Sequence, residues 1–486
     1  MVNVDSSQFP FILLIPELVL VGFAFFILLR GAFSKGGGSR PYAGLITCVG
    51  LVIAGFFSLN LFDINARAFY GAIQIDNFSV FFKIVIIAGA FIVTLMSMDY
   101  LRRSDIQVCE YYTLLLFATV GMTLLASASD LITIFIAIEI MSLSVYVLVG
   151  IRRNEPFAIE AALKYFILGS FASGILVYGI ALVYGASRSL NLAQIAFAAA
   201  SGRILEPNLF TIGMGLILVG FGFKVASVPF HMWAPDVYQG APAPITAFMS
   251  MGVKAAAFAA VIRVFMVAFN EHMPIWQPIV WWLAVLTMLA GNLMALMQEN
   301  IKRMLAYSSI AHAGYLLVGL AVGGEQAGAA MLYYLAAYAF MNLGAFGVIV
   351  AVSGGDKELE NIPDWSGLAY RHPVMGGAMA LCLFSLIGMP PTAGFFAKFY
   401  LFYSAVAAGD VPIVIIGVIA SMISLYFYLK VIVTMYMRDP DREIVPATPN
   451  VSVRLGVLLS SFAVLYLGIV PGTALEWATS SIATLF

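Results

Sequence analysis

Residues 224–236 read KVASVPFHMWAPD and interrupt an otherwise apolar stretch with two prolines, two charged side chains and a histidine. Proline lacks a backbone donor and breaks the hydrogen-bond pattern of a helix that contains it. Within a membrane, such a break persists only where protein or water satisfies the freed backbone groups. The stretch therefore predicts a broken helix, with Pro229 at the break, beside a polar or hydrated interior.

A second stretch of the same kind lies at residues 388–398, which read GMPPTAGFFAK. Pro390 and Pro391 mark this break, and Lys398 follows it. The two breaks fall in the seventh and twelfth apolar segments of the chain, five segments apart. Because a five-helix unit ends on the opposite side of the membrane, its repeat is inverted, and paired broken helices are typical of inverted-repeat transporters. We therefore predict two inverted five-helix repeats, helices 4–8 and 9–13.

The composition fits a membrane protein, since 62% of the 486 residues are hydrophobic and 10% are charged. A spanning helix needs about 20 mostly apolar residues. Such segments begin near Pro10, Ala43, Asn77, Glu110, Leu131, Ile159, Leu209, Pro242, Ile275, Met304, Gly328, Pro373, Pro412 and Val453. We predict an all-α polytopic protein of about 14 transmembrane helices. Its divisions are residues 1–108 (helices 1–3), 109–270 (first repeat), 271–437 (second repeat) and 438–486 (helix 14).

Basic residues sort by loop, which predicts the orientation in the membrane. The loops after odd-numbered helices hold Arg30, Lys35, Arg40, Arg102, Arg103, Arg152, Arg153, Lys302, Arg303, Lys357, Arg371, Arg438, Arg442 and Arg454. The loops after even-numbered helices hold Arg67, Arg188 and Arg203. Because basic loops stay in the cytoplasm, we expect both termini on the periplasmic side of a bacterial inner (plasma) membrane.

A few titratable side chains fall inside the predicted helices. Those that we assign to a proton path are Glu139, Lys164, Lys224, Lys254, His312 and Lys398. An ionised side chain at the bilayer centre costs about 2.5 to 3.5 kcal/mol on insertion scales, so several in one chain need a partner, water or a function. Buried lysine can release its proton whereas arginine stays charged, and histidine titrates near neutral pH. The set therefore suits a path for protons.

Some of these residues also admit a purely structural explanation. Glu139 has no basic neighbour in its own helix and needs a partner from another helix, either in a fixed ion pair or as a relay. Glu160 and Lys164 are four residues apart on one helical face, within ion-pair reach. In that pair, either the two residues simply neutralise each other's charge, or Lys164 exchanges Glu160 for another carboxylate. His312 is alternatively a hydrogen-bonded core residue.

Other charged residues are expected to lie outside the path. We expect His231 to cap the loop at the cytoplasmic mouth. Lys83, Arg263 and Lys430 are expected to snorkel from helix ends, with their charged groups in the interface. A role for Lys430 at the exit stays open.

The sequence shows no pattern that would hold a metal or a redox group. Its three cysteines stand in separate segments without Cys-x-x-Cys or Cys/His spacing, and no nucleotide loop, haem spacing or flavin fingerprint is present. A net charge of −1 gives no field to attract nucleic acid. Energy for moving protons must therefore come from a gradient or an attached partner.

Over nearly its whole length, the chain closely resembles the antiporter-like proton-pumping subunits of respiratory complex I, which are related to multisubunit sodium/proton antiporters. The most specific part of this resemblance runs from Lys224 to Lys254. The run VYQGAP at residues 237–242 and lysine at position 398 are similar to the N-type branch rather than to the L or M types. The resemblance implies that Glu139 is the helix-five glutamate, and that Lys254 and His312 connect the two broken-helix lysines.

The resemblance also implies a setting. The chain would be a proton-translocating subunit of an NADH:quinone oxidoreductase, whose FMN, iron–sulfur clusters and quinone belong to other subunits. No redox chemistry, cofactor or metal is expected in this chain. Subunits M and K are the implied neighbours, with the lateral helix of subunit L alongside them in the bilayer.

Three alternatives stay open on the sequence. The first is a subunit of a cation/proton antiporter driven by gradients alone, against which the run QGAP and Lys398 argue. The second is a redox subunit that binds haem or quinone, which would need facing histidine pairs that four scattered histidines do not supply. The third is a transporter of an organic solute, which would need a more polar pocket in mid-membrane.

Overall fold

The computed structural model describes residues 10–33, 40–104, 106, 109–353, 359–439 and 448–486, which are overwhelmingly α-helical. In this part of the chain, 13 helices are long and apolar enough to cross a membrane. Two shorter apolar helices, Pro373–Ile387 and Ala393–Ala407, are the halves of the broken twelfth helix. The prediction of an all-α polytopic protein with about 14 spans is confirmed.

The first three crossings are α1 (Ile15–Phe33), α2 (Arg40–Leu59) and α3 (Asn77–Arg103). A short antiparallel hairpin precedes α3, with β1 (Ala66–Ala68) paired to β2 (Ile73–Ile75). Asp76 begins α3 because its carboxylate accepts the Ser79 N–H at 2.8 Å while the Ser79 hydroxyl accepts the Asp76 N–H at 3.1 Å. This reciprocal cap fixes the start of α3.

The next group contains α4 (Cys109–Ser127), α5 (Leu131–Val149), α6 (Pro156–Ser187), the short α7 (Leu192–Ala200), α8 (Pro207–Val225) and α9 (Trp233–Gly240). It closes with a composite helix over residues 243–268. In that helix, α10 (Ala243–Phe248) and α11 (Lys254–Arg263) alternate with π-helical turns at Met249–Val253 and Val264–Ala268. Each end of α11 therefore meets a π-helical turn.

The following group contains α12 (Met273–Leu296), α13 (Ile301–Val322), α14 (Gly324–Val352), the single turn α15 (Leu368–Arg371), α16 (Pro373–Ile387), α17 (Ala393–Ala407) and α18 (Val411–Met437). The chain ends with α19 (Val451–Ile469) and α20 (Pro471–Ile482). Lys35, Lys357 and Arg442, which contributed to the predicted orientation, lie outside the described residues.

Burial divides the helices into central and peripheral ones. The composite helix 243–268, α13 and α14 are buried almost all round, whereas α18 and α19 leave most of their apolar surface uncovered. In a bilayer, uncovered apolar faces are solvated by lipid. The central helices carry Lys254 and His312, which places these titratable groups in the protein interior.

Both predicted helix breaks are present. The first separates α8 from α9, and the backbone of Ala226 there takes a left-handed conformation (φ 58°). The second separates α16 from α17, where Gly388 is also left-handed (φ 95°). At the first break the Trp233 indole N–H donates to the Phe223 carbonyl at 2.9 Å. Protein groups thus satisfy backbone acceptors at a helix end, as a break within a membrane requires.

Candidate functional site

Lys254 occupies the centre of the molecule, at the first residue of α11 and directly after a π-helical turn. Its side chain is buried, and Nζ donates to both the carbonyl and the hydroxyl oxygen of Ser309 on α13, each at 2.5 Å. Nζ also lies 5.4 Å from the ring centroid of Tyr338. The Ser309 hydroxyl is in turn 3.5 Å from the Tyr238 hydroxyl. Lys254 is therefore held by neutral oxygens and an aromatic face.

His312 lies one turn along α13 from Ser309 and uses both ring nitrogens. Nδ1 is 2.7 Å from the Tyr334 hydroxyl, and Nε2 is 3.4 Å from the Tyr428 hydroxyl. The Tyr428 hydroxyl is also hydrogen-bonded to that of Ser308. The His312 ring also contacts Tyr338, which lies under Lys254, and Tyr315, which lies under Lys398, with ring centroids 5.1 and 5.6 Å apart. His312 thus lies between rings that contact the two lysines, with a hydroxyl on each side of its own ring.

Lys398 lies on α17 and folds back towards the end of α16. Its Nζ donates to the carbonyls of Leu386 and Ile387 at 3.1 and 2.8 Å, and to the Ser421 hydroxyl at 2.7 Å. It also lies 4.9 Å from the centroid of the Tyr315 ring. A helix C-terminus carries partial negative charge, so the end of α16 stabilises the ammonium. The broken helix itself builds this lysine site.

Lys224 occupies the corresponding region of the first break, in the last turn of α8. Its Nζ donates to the Ser142 hydroxyl on α5 at 2.8 Å and to the Tyr146 hydroxyl at 3.4 Å. Glu139 lies one turn before Ser142, and its charge acts on Lys224. The carboxylate itself accepts a hydrogen bond from Ser173 on α6 at 2.5 Å. The expected partner of Glu139 from another helix is therefore a hydroxyl group and not a base.

Unlike the other lysines of the predicted path, Lys164 is not buried in this chain. Lys164 does pair with Glu160 at 2.7 Å, but the two side chains are 44% and 58% exposed. Neighbouring apolar residues of α6, such as Leu163 and Ile167, are exposed as well. Because lipid-facing and core-facing positions are both apolar in a membrane, the residue pattern of α6 does not show which face points inward.

A polar pocket of about 290 Å³ lies at the end of α6 that carries Lys164. Asp236 on α9 accepts hydrogen bonds from Lys164 at 3.0 Å and from Arg303 at 2.6 Å. Partial burial raises the pKa of the Asp236 carboxyl, but the bonds from Arg303 and Lys164 outweigh it and hold that pKa below its usual value. Asp236 therefore stays ionised and joins α6, α9 and α13 at the pocket.

The supporting residues of the breaks differ in their surroundings. Pro229, Pro390 and Pro391 are exposed on the surface of the chain. His231 is half-buried, and burial lowers its pKa. The backbone of Pro229 is a hydrogen-bond partner of the His231 ring, whereas Nδ1 has no partner among the described residues, so the loop-capping role of His231 stays a prediction. Pro229 and the proline pair set the breaks without forming the site.

Two residues expected to snorkel are instead buried in ion pairs. Lys83 is fully buried and lies 2.9 Å from the Glu17 carboxylate. Arg263 makes a two-point ion pair with Asp76, at 2.8 and 2.9 Å. Snorkelling fails because α3 and the composite helix are internal, so neither side chain reaches the interface. Lys302, assigned to a loop, is also buried and donates to the Ala241 carbonyl at 2.8 Å.

The residue patterns do not reveal the hydroxyl partners of the predicted path. Every buried lysine of the predicted path touches a serine, and both nitrogens of His312 touch tyrosines. These partners are Ser142, Ser309, Ser421, Tyr334 and Tyr428. Ser142 and Ser309 stand one turn from Glu139 and His312 on the same helix, a spacing that could have pointed to them. Ser421 and Tyr428 lie on α18, where the sequence pattern draws attention to Lys430 and to neither of them.

The described residues contain no group of three or more histidine, cysteine or acidic side chains that could hold a metal ion. Lys430, for which an exit role stayed open, is half-buried and lies 3.4 Å from the Gln298 carbonyl. None of the hydrogen bonds given above joins Lys430 to Lys224, Lys254 or Lys398.

Residues 128–424 match the family model described as NADH:quinone oxidoreductase/Mrp antiporter, transmembrane. The chain is 44% identical to NADH-quinone oxidoreductase subunit N of Trichlorobacter lovleyi over 469 residues, 96% of each chain. It is 42% identical to subunit N 1 of Solibacter usitatus over 472 residues, 97% of each.

Among solved structures, a chain of respiratory complex I from Thermus thermophilus with bound aureothin is similar at 34% identity and a TM-score of 0.80, covering 95% of this chain and 99% of that one. A chain of the Mrp complex from Dietzia sp. is similar at 23% identity and a TM-score of 0.84, covering 96% and 97%. At that identity the second likeness concerns the fold alone.

Proposed function

The chain belongs to the NADH:quinone oxidoreductase/Mrp antiporter family, and we propose that it is an N-type subunit of an NADH-quinone oxidoreductase that carries protons along its buried lysines. The path comprises Lys224, Lys254, His312 and Lys398, with Glu139 at one end. Its relatives named subunit N cover nearly the full chain, which favours this assignment over a cation/proton antiporter subunit.

One observation carries the proposal. The lysines at 224, 254 and 398 are buried, and the partners given above for each ammonium are neutral oxygens or aromatic rings. Loss of a proton from Lys254 or Lys398 leaves hydrogen-bonded neutral groups and no unpaired carboxylate, and near Lys224 the Glu139 carboxylate keeps its own hydrogen bond from Ser173. Lys83 and Arg263, by contrast, are each paired with a buried carboxylate, so deprotonation there would leave an unpaired buried charge. The partner chemistry thus separates proton carriers from structural cations.

The connection between carriers runs through hydroxyl groups. Serine and tyrosine hydroxyls both donate and accept, so they can relay a proton between a lysine and a histidine. Lys254 is bonded to Ser309, and Ser309 lies one turn before His312 on α13. The proton moves from an ammonium to a neighbouring acceptor, and the lysine is reprotonated from the other side.

The energy source lies outside this chain. Moving one proton against 100 mV costs about 2.3 kcal/mol. We propose that NADH oxidation and quinone reduction occur at FMN, iron–sulfur clusters and a quinone site in other subunits. The electrostatic and conformational change that follows quinone reduction reaches this chain as a shift of charge near Glu139 and Lys164. This shift then alters the charge on Lys224.

Partner subunits are proposed from the exposed charges. Glu139 on α5 is partly exposed, Lys164 on α6 is exposed beside the polar pocket, and apolar residues of the same two helices, such as Ile136 and Phe171, are exposed as well. Charges facing lipid at this depth are costly, so we propose that a neighbouring membrane subunit covers this exposed surface. Subunits M and K are the proposed neighbours, with the lateral helix of L beside them.

The orientation and internal symmetry are proposals as well. We place both termini on the periplasmic side of the bacterial plasma membrane, in agreement with the sorting of basic residues. We propose that α4 to the composite helix and α12 to α18 are inverted repeats. The presence of one buried lysine at each helix break supports this correspondence.

The test is NADH-driven, quinone-dependent proton uptake in membrane vesicles that carry Lys224→Ala, with assembly of the complex checked on a native gel. We expect an assembled complex with lost or strongly reduced proton uptake. The matched control is Lys430→Ala, a half-buried lysine outside the path. Full proton uptake by the assembled Lys224→Ala complex would make this lysine structural and reject the proposal.

A further inference from the structure

Helix α3 runs antiparallel to the composite helix 243–268 and packs against α10, the first π-helical turn and α11, and two of these contacts involve the ends of α11. At one place, the Asp76 carboxylate accepts two hydrogen bonds from the Arg263 guanidinium, at 2.8 and 2.9 Å, and both groups are buried. Asp76 is also the cap of α3, so the same carboxylate fixes the start of that helix. The position of Arg263 is therefore tied to the end of α3.

Arg263 reaches beyond Asp76 to a third helix. Its guanidinium donates to the Ala126 carbonyl at the end of α4 at 3.2 Å and lies 4.8 Å from the centroid of the Phe78 ring. A planar guanidinium with several fixed donors suits such a multiple contact, which lysine could not reproduce. Arg263 thus anchors one end of α11 to both α3 and α4.

The second contact lies next to Lys254. A Cβ atom placed on Gly89 of α3 would be 2.6 Å from the sulfur of Met251. Met251 belongs to the π-helical turn that immediately precedes Lys254. The end of the Met251 side chain occupies the space beside Gly89, so α3 packs directly against the turn that presents the lysine.

Helix α11 is bounded by irregular turns. Lys254 is its first residue, Arg263 is its last, and a π-helical turn adjoins each end. π-helical turns are frequent at functional sites, where they interrupt the regular helix. A segment with irregular turns at both ends needs an external anchor to hold its register.

We propose that Asp76 and Arg263 are positioning residues that hold Lys254 against Ser309, a role that rests on the proposed proton path. Asp76 lies outside the residues matched by the family model, and Arg263 lies inside them. Helix α3 therefore serves as a brace for the central lysine of the family domain.

The chain offers a matched control on the same helix. Lys83 of α3 forms a buried ion pair with Glu17 at 2.9 Å, but this pair ties α3 to α1 and not to the composite helix. Neutralising both charges of either pair removes one buried ion pair that involves α3, so the two double variants are matched. Only the Asp76–Arg263 pair should affect Lys254.

The experiment uses the assembled complex in membrane vesicles, with the three native cysteines replaced. Cysteines at Gly89→Cys and Met251→Cys report the spacing of α3 and the composite helix by disulfide yield, without any need for proton transport. A second set of variants without these cysteines reports proton uptake per NADH oxidised. Both are measured with Arg263→Met, with the neutral pair Asp76→Asn plus Arg263→Gln, and with the control Glu17→Gln plus Lys83→Met.

We expect Arg263→Met and the neutral pair each to lower the disulfide yield and the proton uptake per NADH, by about twofold or more, while the control changes neither. The neutral pair retains an asparagine cap on α3, so it remains informative if Arg263→Met does not assemble. An unchanged disulfide yield, or an equal loss in the control, would overturn the positioning role.

Lys254→Ala separates this inference from the proposed function. If Lys254→Ala abolishes proton uptake but the Asp76–Arg263 variants shift the disulfide yield without affecting uptake, the positioning role is wrong and the path stands. If Lys254→Ala leaves uptake intact, the path is wrong, and the role assigned to the brace is rejected with it.

Discussion

The ammonium of Lys254 lies 2.5 Å from the hydroxyl oxygen of Ser309 and 2.5 Å from the carbonyl oxygen of the same residue. One serine therefore supplies two neutral acceptors to a buried charge. The carbonyl stabilises the protonated lysine, whereas the hydroxyl can also donate to the neutral amine. The contact accommodates both protonation states.

Lys254→Arg should assemble less readily and should lower proton uptake to below about a tenth of normal, because arginine keeps its proton. Ser309→Ala retains the carbonyl but loses the relay hydroxyl, so its loss of uptake should be smaller. Both are measured as NADH-driven uptake in vesicles, normalised to assembled complex. Normal uptake by Lys254→Arg would show that deprotonation of this lysine is not required.

His312→Gln should lower proton uptake more than Tyr428→Phe does. Glutamine can retain a hydrogen bond to Tyr334 or Tyr428 but cannot carry a proton between them. Tyr428→Phe removes only the 3.4 Å contact with Nε2 and the bond to Ser308. The measurement is proton uptake per NADH. Equal activity of His312→Gln and the unmodified chain would assign His312 to packing alone.

Lys83→Met should destabilise the subunit by about 3 to 5 kcal/mol, since it leaves the Glu17 carboxylate buried without its partner. The double variant Glu17→Leu plus Lys83→Met should recover most of this loss, because an apolar pair of similar volume needs no charge partner. The yield of assembled complex on native gels after graded heating measures the effect. A double variant as unstable as Lys83→Met would contradict a simple ion-pair role.

The sequence predicts the helix breaks and the buried lysines near them where a local signal exists. Prolines within one or two helical turns of a lysine mark both breaks, and Lys224 and Lys398 are buried there. Glu17 and Lys83 were not recognised as partners, because they lie on different helices and no local spacing relates them. The exposure of Lys164 could not be predicted, since a lipid-facing helix is apolar on both faces. Ser421 and Tyr428 could not be found, because hydroxyl residues are common on helices and only tertiary packing selects the ones that matter.

Asp236→Asn should lower proton uptake at every pH between about 5 and 8, without a change in the shape of the profile. The Asp236 pKa lies below its usual value, so the charge and its contribution to the cluster persist throughout this range and are lost only when the pH falls through that lowered pKa. Glu160→Gln is the control, since its exposed carboxylate contacts Lys164 on the same helix. A variant profile that merges with the normal one near the acidic end would show that Asp236 titrates there.

Gly394→Ala should separate the halves of the broken twelfth helix and weaken the Lys398 site. A Cβ atom on Gly394 would lie 2.7 Å from the carbonyl carbon of Ser385, so the backbones of α16 and α17 must move apart. Lys398 bonds to the Leu386 and Ile387 carbonyls would lengthen as a result, because these acceptors belong to the same end of α16. Gly377→Ala is the matched control, since no atom lies within 4 Å of its Cβ position. We expect reduced proton uptake per NADH for Gly394→Ala in assembled complex and normal values for Gly377→Ala. Because the added methyl carries no charge, equal pumping by both variants would show that the Lys398 site does not depend on the close packing of the two half-helices.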